Sequence, residues 1–125
     1  MDFILVFLGA GVGGALRHAA NIIIPRVLPS EFPVATLFIN VVGSFVMGVM
    51  AGYFALRGGL PQHARLFLTT GILGGFTTFS TFSLEAVLLY ERGQFASAAL
   101  YVLASVALSL VGLTLGLALI RISVA

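Results

Sequence analysis

The chain has 125 residues, of which 60% are hydrophobic and 8% are charged, and its mean hydropathy is +1.17. Soluble domains carry about 25% charged residues, so this composition excludes an ordinary soluble globule and makes the bilayer the expected solvent. The net charge of +2 comes from six arginines and four acidic residues with no clustered basic patch, which argues against nucleic acid as a partner.

Four apolar stretches follow one another, each near the roughly 20 residues that a transmembrane helix requires. We predict spans over residues 3–24, 34–56, 66–90 and 95–120, which form one four-helix membrane domain over residues 1–125. Short connectors rich in Pro, Gly and charge separate the spans, and the first connector is expected from Pro25 to Pro33. The start of the chain lacks the basic region of a cleaved signal peptide, so we expect the first span to be retained.

The arginines are divided almost evenly between the two membrane sides. With four spans, one side carries Arg57, Arg65 and Arg121, and the other side carries Arg26 and Arg92. Orientation follows the Lys/Arg difference between short loops. A bias of three to two leaves two interpretations open: one weakly preferred orientation, or insertion either way up, which would permit an antiparallel dimer.

Pairs of glycines spaced by four predict close helix packing, because small residues let backbones approach each other in lipid. These pairs are Gly9 and Gly13, Gly48 and Gly52, Gly71 and Gly75, and Gly112 and Gly116. A compact bundle of four helices leaves little internal space. We therefore expect any pore to lie in a groove or between subunits, and we expect the chain to form oligomers.

Polar side chains at membrane depth are costly and usually functional, so they identify candidate sites. Arg17 lies roughly 10 Å from the end of the first span at Ile24, where it either anchors the helix or attracts anions. Asn40 shares one helical face of the second span with Thr36 and Ser44. Its amide offers two N–H donors, suited either to an anion or to a neighbouring helix.

The last two spans also carry polar groups. Ser105 and Ser109 share a face of the fourth span, roughly 15 and 21 Å from its start at Phe95. Their hydroxyls either bond to their own helix backbone or line a passage through the middle of the bilayer. Glu85 lies roughly 8 Å from the end of the third span at Tyr90, and its carboxylate is either interfacial or carries protons.

The strongest local pattern is GGFTTFSTFS over residues 74–83 of the third span. Paired glycines weaken a helix, and Thr and Ser side chains can satisfy the backbone groups that a break releases. The pattern predicts either a helix broken near the midplane or a flexible continuous helix. In a broken helix, carbonyl oxygens of Gly74, Gly75 and Thr77 that turn inward would offer a site for a hard cation.

Phe76, Phe79 and Phe82 lie along one narrow strip of the same span. Most aromatic strips are packing, but ring edges carry the positive end of the quadrupole and can hold an anion. A full positive charge would bind that anion too tightly for release. Hydroxyl donors, amide donors and ring edges in a chain without lysine therefore favour an anion pathway over a cation pathway.

Three ordered blocks of the sequence resemble the Fluc (CrcB-type) family of small fluoride channels. They are GGFTTFSTFS at residues 74–83, ATLFINVVGSF at residues 35–45 followed by Gly48, and GGALR at residues 13–17. The resemblance spans essentially the whole chain. It implies an all-α, dual-topology, antiparallel homodimer with two fluoride pores, a broken third helix and a structural sodium ion (Na+) at the subunit interface.

The resemblance also implies roles for individual residues. The implied ion-pathway residues are Asn40, Phe79, Phe82, Thr81, Ser105 and Ser109. The implied sodium ligands are the backbone carbonyls of Gly74 and Thr77, and Arg17 lies at the implied vestibule.

Three hypotheses follow for the function. The leading hypothesis is passive fluoride export by a multi-pass protein of the cell (inner) membrane, which relieves fluoride toxicity without enzymatic chemistry. The second is a small dual-topology proton-coupled transporter that uses Glu85. The third is a structural membrane subunit whose glycine-rich faces assemble with a larger partner.

Overall fold

The computed structural model describes residues 1–56 and 58–124 as an all-helical protein. Among these residues, four helical segments are long and apolar enough to cross a membrane: Asp2–Val27, Val34–Leu56, Gln62–Glu91 and Phe95–Ser123. The predicted all-α fold with four spans is therefore confirmed. Arg57, assigned above to one membrane side, and Ala125, the last residue of the predicted domain, lie outside the described residues.

The first helix is longer than predicted. Helix α1 (Asp2–Val27) continues through Pro25, which was expected to begin the connector. A proline removes one helical N–H donor, but helical hydrogen bonding continues after it. The N–H of Leu28 donates to the carbonyl of Ile24 at 2.8 Å. Helix α2 (Val34–Leu56) has the predicted bounds.

The third span is broken, which excludes the continuous-helix interpretation. It consists of α3 (Gln62–Leu66), a π-helical segment (Phe67–Leu73), α4 (Gly74–Phe76) and α5 (Phe79–Glu91). We refer to the part before the break, residues 62–76, as the first half of the third span.

The break lies after the glycine pair and not within it. Gly74 keeps helical angles, with φ −62° and ψ −38°, whereas Thr77 and Thr78 are extended, with ψ of 158° and 117°. β-Branched residues suit extended backbone. Gly75 stays helical where it packs against α1, since a Cβ added to it would lie 2.9 Å from the Cα of Ala10.

A short turn joins the third span to the last helix. Gly93 has a φ of +79° in this turn, a conformation that glycine adopts without strain. Helix α6 (Phe95–Val124) then runs to the end of the described chain.

The helices pack as two close pairs, α1 against the first half of the third span and α2 against α6. A Cβ added to Gly9 would lie 2.8 Å from the Cα of Gly71, and one added to Gly48 would lie 2.9 Å from the carbonyl carbon of Leu113. Only glycine permits such approaches. The close packing predicted from the spaced glycines is confirmed.

Candidate functional site

A cavity of about 350 Å³ lies beside the break, between α2 and α6. We refer to it as the central cavity. Its polar and aromatic lining includes five of the six candidate pathway residues, Asn40, Phe79, Phe82, Ser105 and Ser109, together with Ser44, Thr77 and Thr78. The two stripes predicted on separate helices thus face one common space, because α2 packs along α6.

Ser105 carries a hydroxyl that no described residue satisfies. Its residue is 6% exposed, and its Oγ has no hydrogen-bond partner within the described residues. Thr114, lower on the same helix, instead bonds to the carbonyl of Leu110 at 2.8 Å. A buried hydroxyl without a partner is destabilising, so Ser105 is suited to donate to something inside the central cavity.

Asn40 joins α2 to the break. Its Nδ2 donates to the Thr78 carbonyl at 3.0 Å, and its Oδ1 accepts from the Thr78 N–H at 2.8 Å. The interhelical bonding considered for Asn40 is therefore present. These two bonds leave one of the two amide N–H groups, which remains available on the cavity wall.

Thr78 is a central residue that the sequence analysis did not select. Besides its two bonds to Asn40, its Oγ1 accepts from the N–H of Thr81 at 3.1 Å and so caps the start of α5. A Thr directly before a new helix is a typical N-cap signal. Thr81 itself, predicted as a pathway residue, lies in the first turn of α5 and is not among the residues that line the central cavity.

The break releases the two carbonyls that the sequence analysis assigned to a cation. In a continuous helix the Gly74 carbonyl would accept from Thr78 N–H, and the Thr77 carbonyl would accept from Thr81 N–H. Both donors are engaged elsewhere, by Asn40 and by the Thr78 hydroxyl. The oxygens of Gly74 and Thr77 are thus free of their helical partners, as expected at a helix C-terminus.

Arg17 lies at the break and is not among the residues that line the central cavity. Its Nε donates to the Gly75 carbonyl at 3.2 Å. A cation at a helix C-terminus is favourable because the helix dipole ends there in partial negative charge. Arg17 therefore stabilises the end of α4, and its placement at a vestibule stays a prediction.

A row of aromatic rings begins at the central cavity with Phe79 and Phe82 and continues to Tyr101 and Phe32. The ring centroids of Phe79 and Phe82 are 5.6 Å apart, those of Phe82 and Tyr101 are 5.2 Å apart, and those of Tyr101 and Phe32 are 5.5 Å apart. Tyr101 is 0% exposed, and its hydroxyl donates to Glu85 Oε1 at 3.1 Å.

Tyr101 was also missed by the sequence analysis. It lies four residues before Ser105, which in turn lies four residues before Ser109, so the polar stripe of α6 is one turn longer than predicted. The four-residue spacing from Tyr101 to Ser105 could have identified Tyr101 from the sequence.

A second cavity, of about 340 Å³, lies beyond the row of aromatic rings at the end of the bundle. We refer to it as the end cavity. Its lining comes from the last turns of α1 and α5, the start of α2 and the first connector, and its charged members are Glu31, Glu85 and Arg92. Tyr101 thus lies between the two cavities, because it packs on Phe82 of the central lining and donates to Glu85 of the end lining.

Four spanning helices, one of them broken beside a cavity lined by α2, the third span and α6, define a multi-pass integral membrane protein. Residues 4–117 match the family described as CrcB-like protein, Camphor Resistance (CrcB). The chain belongs to this family and is a protein of the cell membrane.

Relatives cover nearly the full length. The chain is 63% identical over 121 residues to the fluoride-specific ion channel FluC of Rhodopseudomonas palustris (strain BisB5), covering 97% of this chain and 98% of that protein. It is 61% identical to the protein of the same name from Methylobacterium nodulans, with 97% of each covered. It is 60% identical to that of Granulibacter bethesdensis, with 97% and 95% covered. The resemblance seen in the sequence is confirmed.

Proposed function

We propose that this protein is a fluoride-selective ion channel that exports fluoride passively and so relieves fluoride toxicity, with no enzymatic step. The observation that carries the proposal is the central cavity, in which the buried Ser105 hydroxyl has no partner within the described residues. The full-length similarity to fluoride-specific ion channels supplies the identity of the ion.

Selectivity follows from how the cavity replaces water. Fluoride is small and strongly hydrated, so it enters only where several donors substitute for its hydration shell. Ser105, Ser109 and the free N–H of Asn40 offer such donors. The edges of Phe79 and Phe82 add weak positive potential without a fixed charge that would hold the ion.

The ion route continues from the central cavity to the end cavity. Tyr101 and Phe82 stand between the two spaces, and Tyr101 is held by Glu85. An anion that displaces the Glu85 carboxylate from the Tyr101 hydroxyl gains a donor between the two cavities. Glu85 therefore holds the Tyr101 hydroxyl when no anion is present and releases it to an anion that passes. This role explains why a carboxylate lies beside an anion route, and it requires no proton coupling.

Assembly as an antiparallel homodimer completes the pore. Phe79 lines the central cavity yet is 78% exposed in the single chain, which is unusual for a large pore-lining ring unless a second copy covers it. Gly74 is exposed on the same span. The even distribution of arginines supports insertion in both orientations.

Sodium fits the interface of such a dimer. The Gly74 and Thr77 carbonyls are released from helical bonding, and hard cations prefer oxygen ligands. Two oxygens are too few for such a cation, but a second copy related by symmetry doubles them to four. The carbonyls would supply a structural site that holds the two breaks together and takes no part in fluoride selectivity.

The function is tested by fluoride-electrode recordings from reconstituted vesicles, with chloride as the control ion and protein-free vesicles as the blank. We expect rapid fluoride efflux and little chloride efflux. Fluoride release no faster than from protein-free vesicles would refute the proposal. Slow, saturable flux abolished by Glu85→Gln and driven by a proton gradient would instead support the transporter hypothesis.

A further inference from the structure

The end cavity brings three charged side chains to the place where an ion would leave bulk water. Glu31 comes from the first connector, and Glu85 and Arg92 come from α5. Among the described residues, Arg92 is the only cation that lines this cavity. We infer that Arg92 sets the rate at which fluoride reaches the pore, by offsetting the repulsion from Glu31 and Glu85; this inference rests on the proposed function.

The helix geometry fixes Arg92 above Glu85. Glu85, Leu88, Leu89 and Arg92 all line the end cavity, and their spacing of three, four and seven residues is that of one helical face. Arg92 is the C-cap of α5, where the helix dipole favours a cation. It stands roughly 10 Å further out than Glu85 along the helix axis, so an incoming anion meets Arg92 first.

The neighbouring arginines do not share this position. Arg17 donates to the Gly75 carbonyl at the break. Arg26 lies in the last turn of α1 on the same membrane side as Arg92, but it is exposed and does not line the end cavity. Glu91, next to Arg92, is likewise exposed and outside the lining.

The size of the effect follows from Coulomb's law. A unit charge within about 8 Å of the ion changes the local concentration of a monovalent anion by about twofold in water at moderate salt. Without Arg92 the end cavity would present only the two carboxylates. Because a charge at this distance acts equally on fluoride and chloride, it changes the rate of access and leaves the selectivity of the central cavity unaltered.

The test compares charge-neutralising variants inside and outside the end cavity. Fluoride efflux is measured from phosphatidylcholine vesicles at low fluoride, with an impermeant salt setting the ionic strength at about 0.1 M or about 1 M, where the Debye length is about 10 Å or about 3 Å. We expect Arg92→Gln to lower the flux about twofold at the lower ionic strength and to match the unaltered protein at the higher one. Arg92→Lys, which keeps the charge, should retain the flux.

Glu31→Gln provides an independent measurement, because it should raise the flux about twofold at about 0.1 M with the same loss of effect at about 1 M. Arg26→Gln and Glu91→Gln are the matched controls and should change the flux little at either ionic strength. In all variants the fluoride-to-chloride ratio should stay constant.

Several results would overturn the inference while leaving the channel function intact. One is that Arg92→Gln has the same fluoride flux as the unaltered protein at about 0.1 M. Another is that Arg92→Gln lowers the flux at about 1 M by as much as it does at about 0.1 M. A third is an Arg26→Gln effect as large as that of Arg92→Gln. If Arg92→Gln fails to reconstitute, the Glu31→Gln variant decides the question: a fluoride flux no higher than that of the unaltered protein would contradict the inference. Failure of the proposed function is distinct, since the unaltered protein would then carry no fluoride at any ionic strength.

Discussion

The carboxamide of Asn40 holds both main-chain groups of Thr78, with an Nδ2–O distance of 3.0 Å and an N–Oδ1 distance of 2.8 Å. One side chain of α2 thereby replaces the helical partners that Thr78 gives up where the third span is extended. This pairing keeps the break open, frees the Gly74 carbonyl and aims one remaining amide N–H at the central cavity. Asn40 is thus a structural residue that also lines the central cavity.

The first prediction concerns Asn40. We expect Asn40→Ala to lower the free energy of unfolding by about 1–3 kcal/mol, because it leaves the buried Thr78 N–H and carbonyl unpaired, and to reduce fluoride flux. Asn40→Asp keeps the acceptor but places a carboxylate beside the anion route, so its flux should be lower still. Thermal unfolding in detergent and vesicle efflux measure the two effects. Wild-type stability and flux in Asn40→Ala would contradict both roles.

The second prediction separates ion conduction from stability at Ser105. Because its Oγ bonds to nothing within the described residues, Ser105→Ala removes an unsatisfied group, which should leave stability unchanged or raise it by up to about 1 kcal/mol. Fluoride flux should fall, since a donor to the ion is lost. Thr114→Ala on the same helix is the control and should keep its flux. Unaltered flux in Ser105→Ala would remove Ser105 from the pathway.

The third prediction concerns the aromatic edges. Phe79→Ile and Phe82→Ile should strongly reduce fluoride flux while the dimer remains folded, because an aliphatic side chain of similar bulk has no positive ring edge. Phe82 is buried, so its replacement should also cost about 1 kcal/mol of stability. Phe38→Ile, at an exposed position of α2 outside the central cavity, is the control. Normal flux in both pathway variants would refute the ring-edge mechanism.

The fourth prediction tests helix packing at two neighbouring glycines of α1. A Cβ at Gly9 meets the backbone of Gly71, whereas a Cβ at Gly11 meets nothing within 4 Å. Gly9→Ala should therefore destabilise the protein by about 1–3 kcal/mol through overpacking. Gly11→Ala should stabilise it by up to about 1 kcal/mol through reduced chain entropy in the unfolded state. Equal unfolding temperatures for the two variants would contradict the close approach of α1 and the third span.

The fifth prediction concerns the sodium site. Replacing sodium by a large organic cation should impair flux or dimer assembly, measured by efflux and by size-exclusion chromatography. Gly74→Ala is the matched variant for close contact at this position: among the described residues its Cβ would meet only the Thr69 carbonyl, at an ordinary 3.7 Å. Loss of the dimer in this variant would therefore point to contact with the second copy. Indifference of both flux and assembly to sodium would exclude the sodium site, and an intact Gly74→Ala dimer would contradict a close interface at Gly74.

The sequence by itself determined the number of spans, the glycine-mediated packing and the family, whereas it left open from the residues alone whether the third span is broken or continuous. These properties depend on local hydropathy, on the spacing of small residues and on short sequence motifs, all of which can be read directly from the amino-acid sequence. The polar stripes of α2 and α6 were visible for the same reason, since residues four apart share a helical face.

Only the tertiary structure decided which groups meet. The structure places the break at Thr77 and Thr78, where Asn40, 38 residues away in the chain, bonds to the main chain of Thr78. Arg17 donates to the Gly75 carbonyl, and the Tyr101 hydroxyl donates to Glu85. Such pairings satisfy buried polar groups between helices, where no water is available to do so. They cannot be predicted from the sequence, because the spacing of two residues along the chain does not show which helix faces lie opposite each other.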